Sequence, residues 1–278
     1  MIGLDKLSTE KRNPASAGID TMSTLDMVTL INNEDKKVAC AVEKILPDIA
    51  KAVDIVADHL EQGGRLIYLG SGTSGRLGIL DAVECPPTYS TDPDMVQGLI
   101  AGGYPAIFQA KEGAEDSEAE GHKDIEAMVV GPKDVVMGLT ASGRTPYVIG
   151  GLDEARKAGA AVLGLACSEN PTIARHCDLC LVVLPGPEVI TGSTRMKAGT
   201  AEKMVLNMIS TGTMVKLGKV RGNLMIDVKA SNAKLMERAL GIVMEVTGMN
   251  EQEAMKALTF HSGSARAAVE DWEAAHDK

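Results

Sequence analysis

Aromatic side chains make up only 3% of this 278-residue chain: one Trp, two Phe and four Tyr. A surface that stacks bases or sugar rings is therefore not expected. Positive charge is also in short supply. The 28 Lys and Arg stand against 38 Asp and Glu, for a net charge of -10, which argues against non-specific nucleic-acid binding and does not favour an anionic membrane surface. No stretch is long and apolar enough to span a bilayer, and Met1-Ile2-Gly3-Leu4-Asp5-Lys6 does not read as a signal peptide. The five cysteines are an odd number without a disulfide pattern, which points to a reducing cytoplasm. Cys177 and Cys180 form a CxxC preceded by His176. That spacing suits a redox pair or half a metal site, but no second CxxC completes a zinc site, and the run 179–184 reads as a buried strand. His59, His122, His176, His261 and His276 show no ligand spacing, so no metal is expected. A Gly-x-Ser-x-Gly nucleophile elbow, low-complexity segments and repeats of roughly 20–50 residues are missing as well.

What remains is an ordinary globular composition, 45% hydrophobic and 24% charged, in a 29.2 kDa chain. That is enough for one large domain, or a domain with a small appendage. Residues 24–62 read as helical, with Val38, Val42, Ile45, Ile49, Val53, Val56 and Leu60 on one face. Pro47 breaks or kinks this stretch and Gly63-Gly64 ends it. Apolar runs at 66–69, 96–100, 135–139, 161–165 and 179–184 then alternate with helix-length segments. This spacing predicts a parallel sheet covered on both faces, with ligands beyond the carboxyl ends of its strands. Helical patterns return at 195–220 and 226–246, and two short pieces follow Gly248 at 251–259 and 264–275. The expected organisation is a domain over 1–220, including the N-terminal helices, and a helical subdomain over 221–278. The 15 methionines mostly fall at helical spacings and read as core filling.

Two junctions carry the chemistry. In Gly70-Ser71-Gly72-Thr73-Ser74-Gly75 a strand stops at glycines and hydroxyls and a helix begins. Glycine lets a ligand approach the backbone, and the helix amides and dipole favour an anion. The spacing also satisfies the dinucleotide pattern G-x-G-x-x-G. However, the next strand runs into Ala101-Gly102-Gly103 with no acid for a ribose, and hydroxyls suit a compact phosphosugar. Thr140-Ala141-Ser142-Gly143-Arg144-Thr145-Pro146 follows the same logic. Thr145 and Pro146 read as N-cap and N1, while Ser142 and Arg144 exceed what a cap needs, and Arg144 suits an anion. A third hydroxyl-rich helix start, 187–200, offers Glu188, Ser193, Thr194 and Lys197 either to a ligand or to capping and packing, with Lys197 on a solvated face.

Glu84 precedes Pro86-Pro87, which are expected to stop the first crossover helix. A carboxylate at a helix C-terminus is disfavoured by the dipole, so Glu84 reads either as a general acid or as a solvated surface glutamate. Residues 111–118 are an acidic run that reads, on its own, as a solvated turn.

The hydroxyl-rich loops on such a sheet resemble the sugar isomerase (SIS) domain, a phosphosugar-binding fold. The run 69–88, with 98–103, 112–117, 191–200, Thr9-Glu10-Lys11-Arg12-Asn13-Pro14 and 219–228, resembles the N-acetylmuramic acid 6-phosphate etherases over nearly the whole chain. The resemblance implies a three-layer α/β/α sandwich with a five-stranded parallel sheet, N-terminal helices and a small C-terminal helical subdomain. It places the family's two catalytic glutamates on Glu84 and Glu115. Ser71, Gly72, Thr73, Ser74, Ser142, Gly143, Arg144 and Thr145 are then expected on the phosphosugar, together with Glu188, Ser193, Thr194 and Lys197. It further implies a carbon–oxygen lyase without cofactor or metal, a homodimer with sites near the subunit interface, and a cytoplasmic role in cell-wall amino sugar recycling. No nucleic acid or membrane partner is implied. A non-catalytic phosphosugar sensor on the same fold, a phosphosugar isomerase and, least favoured, a dinucleotide-dependent oxidoreductase are the competing functions.

Overall fold

The computed structural model describes residues 8–228, 230 and 232–276; Met1–Lys6, read above for a leader, lie outside them. Helices α1 (Thr24–Glu43) and α2 (Leu46–Glu61) come first. The expected break occurs at Lys44–Ile45, with Pro47 seated in the first turn of α2, where its missing N–H removes no helical bond. Then follow β1 (Leu66–Gly70), α3 (Gly72–Tyr89), β2 (Val96–Ile100), α4 (Pro105–Phe108), α5 (Glu118–Ala127), β3 (Val135–Thr140), α6 (Pro146–Lys157), β4 (Ala161–Ala166), β5 (Leu179–Val182) and α7 (Lys197–Lys216). The chain ends with α8 (Ala233–Thr247), α9 (Glu251–Phe260) and α10 (Ala265–His276). The order is the expected alternation of strands and helices, with helices at both ends.

The five strands are all parallel, in the order β2-β1-β3-β4-β5. They are rich in Val, Leu and Ile, and every residue of β1 and β3 is buried, as a sheet covered on both faces requires. Ile67, Leu69, Val136 and Val162 pack on one face against Ile125 of α5 and Tyr147, Val148 and Leu152 of α6. These two helices meet backbone to backbone: a Cβ on Gly121 would stand 2.0 Å from the Tyr147 carbonyl oxygen, and one on Gly150 would stand 2.1 Å from that of Glu118. No larger residue fits at either position.

At the amino end of the sheet, Asp134 ties β1 to β3. Its carboxylate accepts from the Arg65 backbone N–H (2.9 Å), the Arg65 guanidinium (2.7 Å) and the Gly131 N–H (3.0 Å). Burial opposes its ionisation, but these bonds prevail and hold its pKa below the ordinary carboxylate value.

Two compact units emerge. One runs to Ala82 and resumes over Asp94–Gly212; the other takes Val83–Pro93 and the described residues from Thr213 onward, so the division falls inside α3 and α7. The second unit has its own core, built from Ile226, Val228, Ala239, Ile242, Val243, Ala254, Leu258, Ala265, Ala268 and Val269. Its caps are well formed. Asn232 accepts from the Leu235 N–H (2.9 Å), Gly248 ends α8 in the left-handed conformation, and Asn250 with Glu253 makes a capping box. The helix expected over 226–246 thus begins only at Ala233, because Asn232 caps it there; of that stretch, Lys229 and Ser231 lie outside the described residues.

A second correction concerns Pro86 and Pro87. They lie inside α3, which continues to Tyr89. The helix stops at Ser90 instead, in the left-handed conformation (φ 50°), where its hydroxyl donates to the Asp227 carbonyl (2.5 Å). Glu84 is therefore not at a helix end, and the dipole argument for it does not hold.

Removing the Asp134 carboxylate leaves the Arg65 and Gly131 donors without their acceptor. Asp134→Ala should cost about 3 kcal/mol in denaturant unfolding, whereas Asp48→Ala, which breaks an exposed pair with Lys51, should cost under about 0.5 kcal/mol. Because the folded Asp134 pKa is lowered, its contribution is present above the ordinary carboxylate range. The gap between wild type and Asp134→Ala should shrink as pH falls through that lowered value.

Candidate active site

The strand order reverses at β1 and β3, so their carboxyl ends open side by side, the usual position for a ligand in an open α/β sheet. β1 ends at Gly70 and α3 starts at Gly72, φ 50°. The turn is tight: a Cβ on Gly75 would come within 2.8 Å of the Gly70 carbonyl oxygen. β3 ends at Thr140, and Gly143, φ 71°, turns the chain against Pro171, where a Cβ would stand 2.2 Å from the proline Cβ.

Between the two loops lies a cavity of about 320 Å³. Ser71, Gly72, Thr73 and Ser74 line it from the first loop and Ser142 and Thr145 from the second; Thr194 and Glu115 complete the expected residues present. Thr9, Glu10, Thr140 and Gly192 line it too and were not expected. Thr140 closes a strand as a hydroxyl next to the loop, which was a usable signal. Thr9 and Glu10 had none beyond the resemblance, because only the fold brings residues so far apart together. Asn13 donates to the Pro187 carbonyl (3.3 Å) and Ser16 to that of Val189 (2.7 Å), which ties the N-terminal segment to the third loop.

The second loop is internally bonded. Thr140 Oγ1 lies 2.7 Å from Thr145 Oγ1 and 3.3 Å from Ser142 Oγ, and the Gly143 and Arg144 N–H groups donate to Thr140 Oγ1 and Ser142 Oγ. Thr145 occupies the N-cap position of α6, but its hydroxyl goes to Thr140 rather than to the helix. Arg144 is half-buried and, like Gly143, is not among the cavity-lining residues.

Two carboxylates meet the first loop. Ser71 Oγ donates to Glu115 Oε2 at 2.9 Å, and Ser74 Oγ donates to Glu202 Oε1 at 2.9 Å. Glu202, on α7, is 1% exposed. Burial pushes its pKa up to about 7, against the opposing hydrogen bond from Ser74.

The third helix start behaves differently from the other two. The Lys197 and Ala198 N–H groups donate to Glu188 at 3.0 and 2.9 Å. Lys197 is 1% exposed, not solvated, and its ammonium pairs with Glu34 at 2.7 Å. Burial opposes the ionised form of Glu34, but the bonds from Lys197, Lys37 and Asn13 prevail and hold its pKa at about 2. Glu188 and Lys197 therefore build the wall and do not line the cavity. Ser193 sits in the turn before α7, its N–H donating to the Ile190 carbonyl. Glu84 is exposed, on the part of α3 that belongs to the second unit. Cys177 and Cys180 are free thiols packed beside the sheet core, and among the described residues no group of His, Cys, Asp and Glu could hold a metal ion. No helix among them is long and apolar enough to cross a membrane.

Sequence comparison decides the family. The chain is 57% identical over 257 residues to an N-acetylmuramic acid 6-phosphate etherase of Clostridium beijerinckii, covering 92% of this chain and 84% of that one. An N-acetylmuramic acid 6-phosphate etherase of Photorhabdus laumondii is 53% identical over 268 residues, covering 96% and 89%. The chain belongs to the N-acetylmuramic acid 6-phosphate etherase family. Within this chain, residues 114–212 match the SIS domain, residues 48–156 the glucokinase regulatory protein N-terminal SIS domain, and residues 222–268 the C-terminal lid domain of glucokinase regulatory protein. Solved structures share the fold at low identity. A phosphoheptose isomerase from Neisseria gonorrhoeae superposes with TM-score 0.55 at 16% identity, over 69% of this chain and 100% of that one. A phosphoheptose isomerase from Francisella tularensis superposes with TM-score 0.51 at 17% identity, over 68% and 100%.

The raised pKa of Glu202 has a measurable consequence. An acid whose folded pKa is raised contributes stability below its unfolded value, and that contribution is lost as pH rises through the folded value. Wild-type stability should decline relative to Glu202→Gln between pH about 4.5 and about 7, read as the difference in unfolding free energy across a pH series. A constant difference would mean that Glu202 does not titrate there.

Proposed function

We propose that this protein cleaves the D-lactyl ether of N-acetylmuramic acid 6-phosphate, releasing D-lactate and N-acetylglucosamine 6-phosphate. The observation that carries this reading is the hydroxyl-lined cavity with the Glu115 carboxylate on its wall, in a chain more than half identical to named etherases. The hydroxyls and the α3 amides suit a sugar phosphate, and the carboxylate suits proton transfer.

The chemistry follows from the substrate. An alkyl ether at C3 is a poor leaving group and lacks the oxocarbenium assistance of a glycosidic bond. Opening the ring exposes an aldehyde at C1, which acidifies the proton at C2. A base removes that proton, an acid protonates the departing lactate oxygen, and the C3–O bond breaks to leave an unsaturated aldehyde. Water then adds at C3, and C2 is reprotonated. Glu115 is assigned as the base at C2, and later for water, and Glu84 as the acid at the lactate oxygen. The assignment of this pair rests on the family resemblance. Two carboxylates suffice for these steps. The reading extends to a homodimer acting in the cytoplasm, in amino sugar recycling.

The lid-domain match to glucokinase regulatory protein favours a second reading, a phosphosugar sensor that uses the cavity without chemistry. The two readings part on turnover. The pure protein should release D-lactate from N-acetylmuramic acid 6-phosphate, and Glu115→Gln and Glu84→Gln should each lower kcat by about 10²–10⁴-fold with little change in affinity for N-acetylglucosamine 6-phosphate. Near-normal turnover in both variants would remove the assignment of the pair. Tight phosphosugar binding with no lactate from the wild type would establish the sensor.

A further inference from the structure

Glu115 faces a second, smaller chamber of about 220 Å³, which shares Ser71, Gly72 and Glu115 with the hydroxyl-lined cavity. The remaining walls of the two differ in chemistry. Beyond Glu115, the larger cavity is walled mainly by hydroxyls, with one further acid, Glu10. The smaller is walled by Ala101, Ala106, Ala110 and Ala114, with Arg76, Lys111 and one further acid, Glu112. Both cations have defined seats. Arg76 on α3 donates through Nε to the Ile107 carbonyl (2.9 Å) and through Nη2 to that of Ala106 (2.7 Å), pinning α4 beside the chamber. Lys111 donates to the Gly102 carbonyl at 3.2 Å. Its stem lies over Gly102, where a Cβ would stand 2.8 Å from Lys111 Cδ and where φ of 87° favours glycine. An ammonium has three donors, so the bond to Gly102 leaves donors for a ligand.

Methyl-lined walls with cations beside them describe a site for a small group that carries both a methyl and a carboxylate. The D-lactyl substituent is such a group: one carbon bearing a methyl and a carboxylate, joined through oxygen to C3. We propose that the smaller chamber is the lactyl subsite, with Lys111 holding the lactyl carboxylate, the alanines receiving its methyl, and Arg76 positioning α4 to shape the chamber. This inference rests on the etherase reading. It sets the substrate across the shared wall, phosphosugar in the hydroxyl-lined cavity and lactyl group in the other, with C2 and C3 at Glu115. The etherase must distinguish its substrate from its own product, which carries the same phosphate and lacks only the lactyl group.

The test compares wild-type protein with Lys111→Met, Lys111→Arg and Ala110→Leu. KM for N-acetylmuramic acid 6-phosphate is measured by lactate release, and Kd for N-acetylglucosamine 6-phosphate by calorimetry. Loss of a charge-assisted bond should raise KM in Lys111→Met by about 10–100-fold, with Lys111→Arg recovering most of the loss. Ala110→Leu, which fills the chamber, should also raise KM. The Kd for N-acetylglucosamine 6-phosphate should stay within about twofold in all three variants, since that ligand does not enter the chamber. Equal weakening of both ligands in Lys111→Met would place the phosphate in this chamber and overturn the proposal, as would an unchanged KM in Lys111→Met and Ala110→Leu while wild-type protein releases lactate. Absence of lactate from the wild type would instead bring down the etherase reading, and this inference with it.

Discussion

The parallel pairing of β1 with β3 sets Gly70 beside Leu139, and Asp134 pins that pairing from the other end by accepting from Arg65 on β1's entry and from Gly131 before β3. A slip of one residue in this register would invert which side chains face each layer of helices, and it would carry Ser71 away from Thr140. With the register held, two strands end at the same level at the point where the strand order reverses. Two glycine- and hydroxyl-rich turns are thereby aimed into one space, and the cavity is the consequence. Its walls are small because the turns are tight: Gly70 against Gly75 in the first, Gly143 against Pro171 in the second.

The charges buried in the same unit mostly build the site. Glu188 takes the first amides of α7, and Lys197 pairs with Glu34. Such a pair is weak evidence for net stability, but removing one partner strands the other in a low-dielectric interior. Its effect here is positional. It holds the start of α7 and α1 together, while Asn13 and Ser16 lash the N-terminal segment to the loop that presents Gly192 and Thr194 to the cavity. Glu202 differs, since it has Ser74 rather than a cation as its hydrogen-bond partner. Through that bond its protonation state is coupled to the direction in which a cavity hydroxyl donates.

Much of this was legible from the chain. The five apolar runs became five strands within one or two residues at their ends, because a doubly covered parallel strand is marked by a short unbroken apolar run. Both glycine-hydroxyl loops fell at strand ends for the same reason. The errors arose where tertiary packing overrides local signals. Pro86-Pro87 reads as a helix stop, yet the helix runs through it to Ser90. Lys197 reads either as a ligand contact or as a cation on a solvated face, yet it is buried and its partner Glu34 lies 163 positions away. Glu188 reads as open either to a ligand or to capping and packing, and it caps: nine residues upstream of Lys197, it takes the first amides of α7. Thr9 and Glu10 reach the cavity in a segment held by bonds to residues more than 170 positions away.

Central to the etherase reading is bond cleavage at C3 of the sugar by elimination and rehydration. The most direct measurement is turnover of N-acetylmuramic acid 6-phosphate by the pure protein in oxygen-18 water, with the products read by mass spectrometry. Elimination and rehydration predict one heavy oxygen on C3 of N-acetylglucosamine 6-phosphate and none gained by the lactate. Label in the lactate would mean that the ether broke on its other side, and would contradict cleavage at C3.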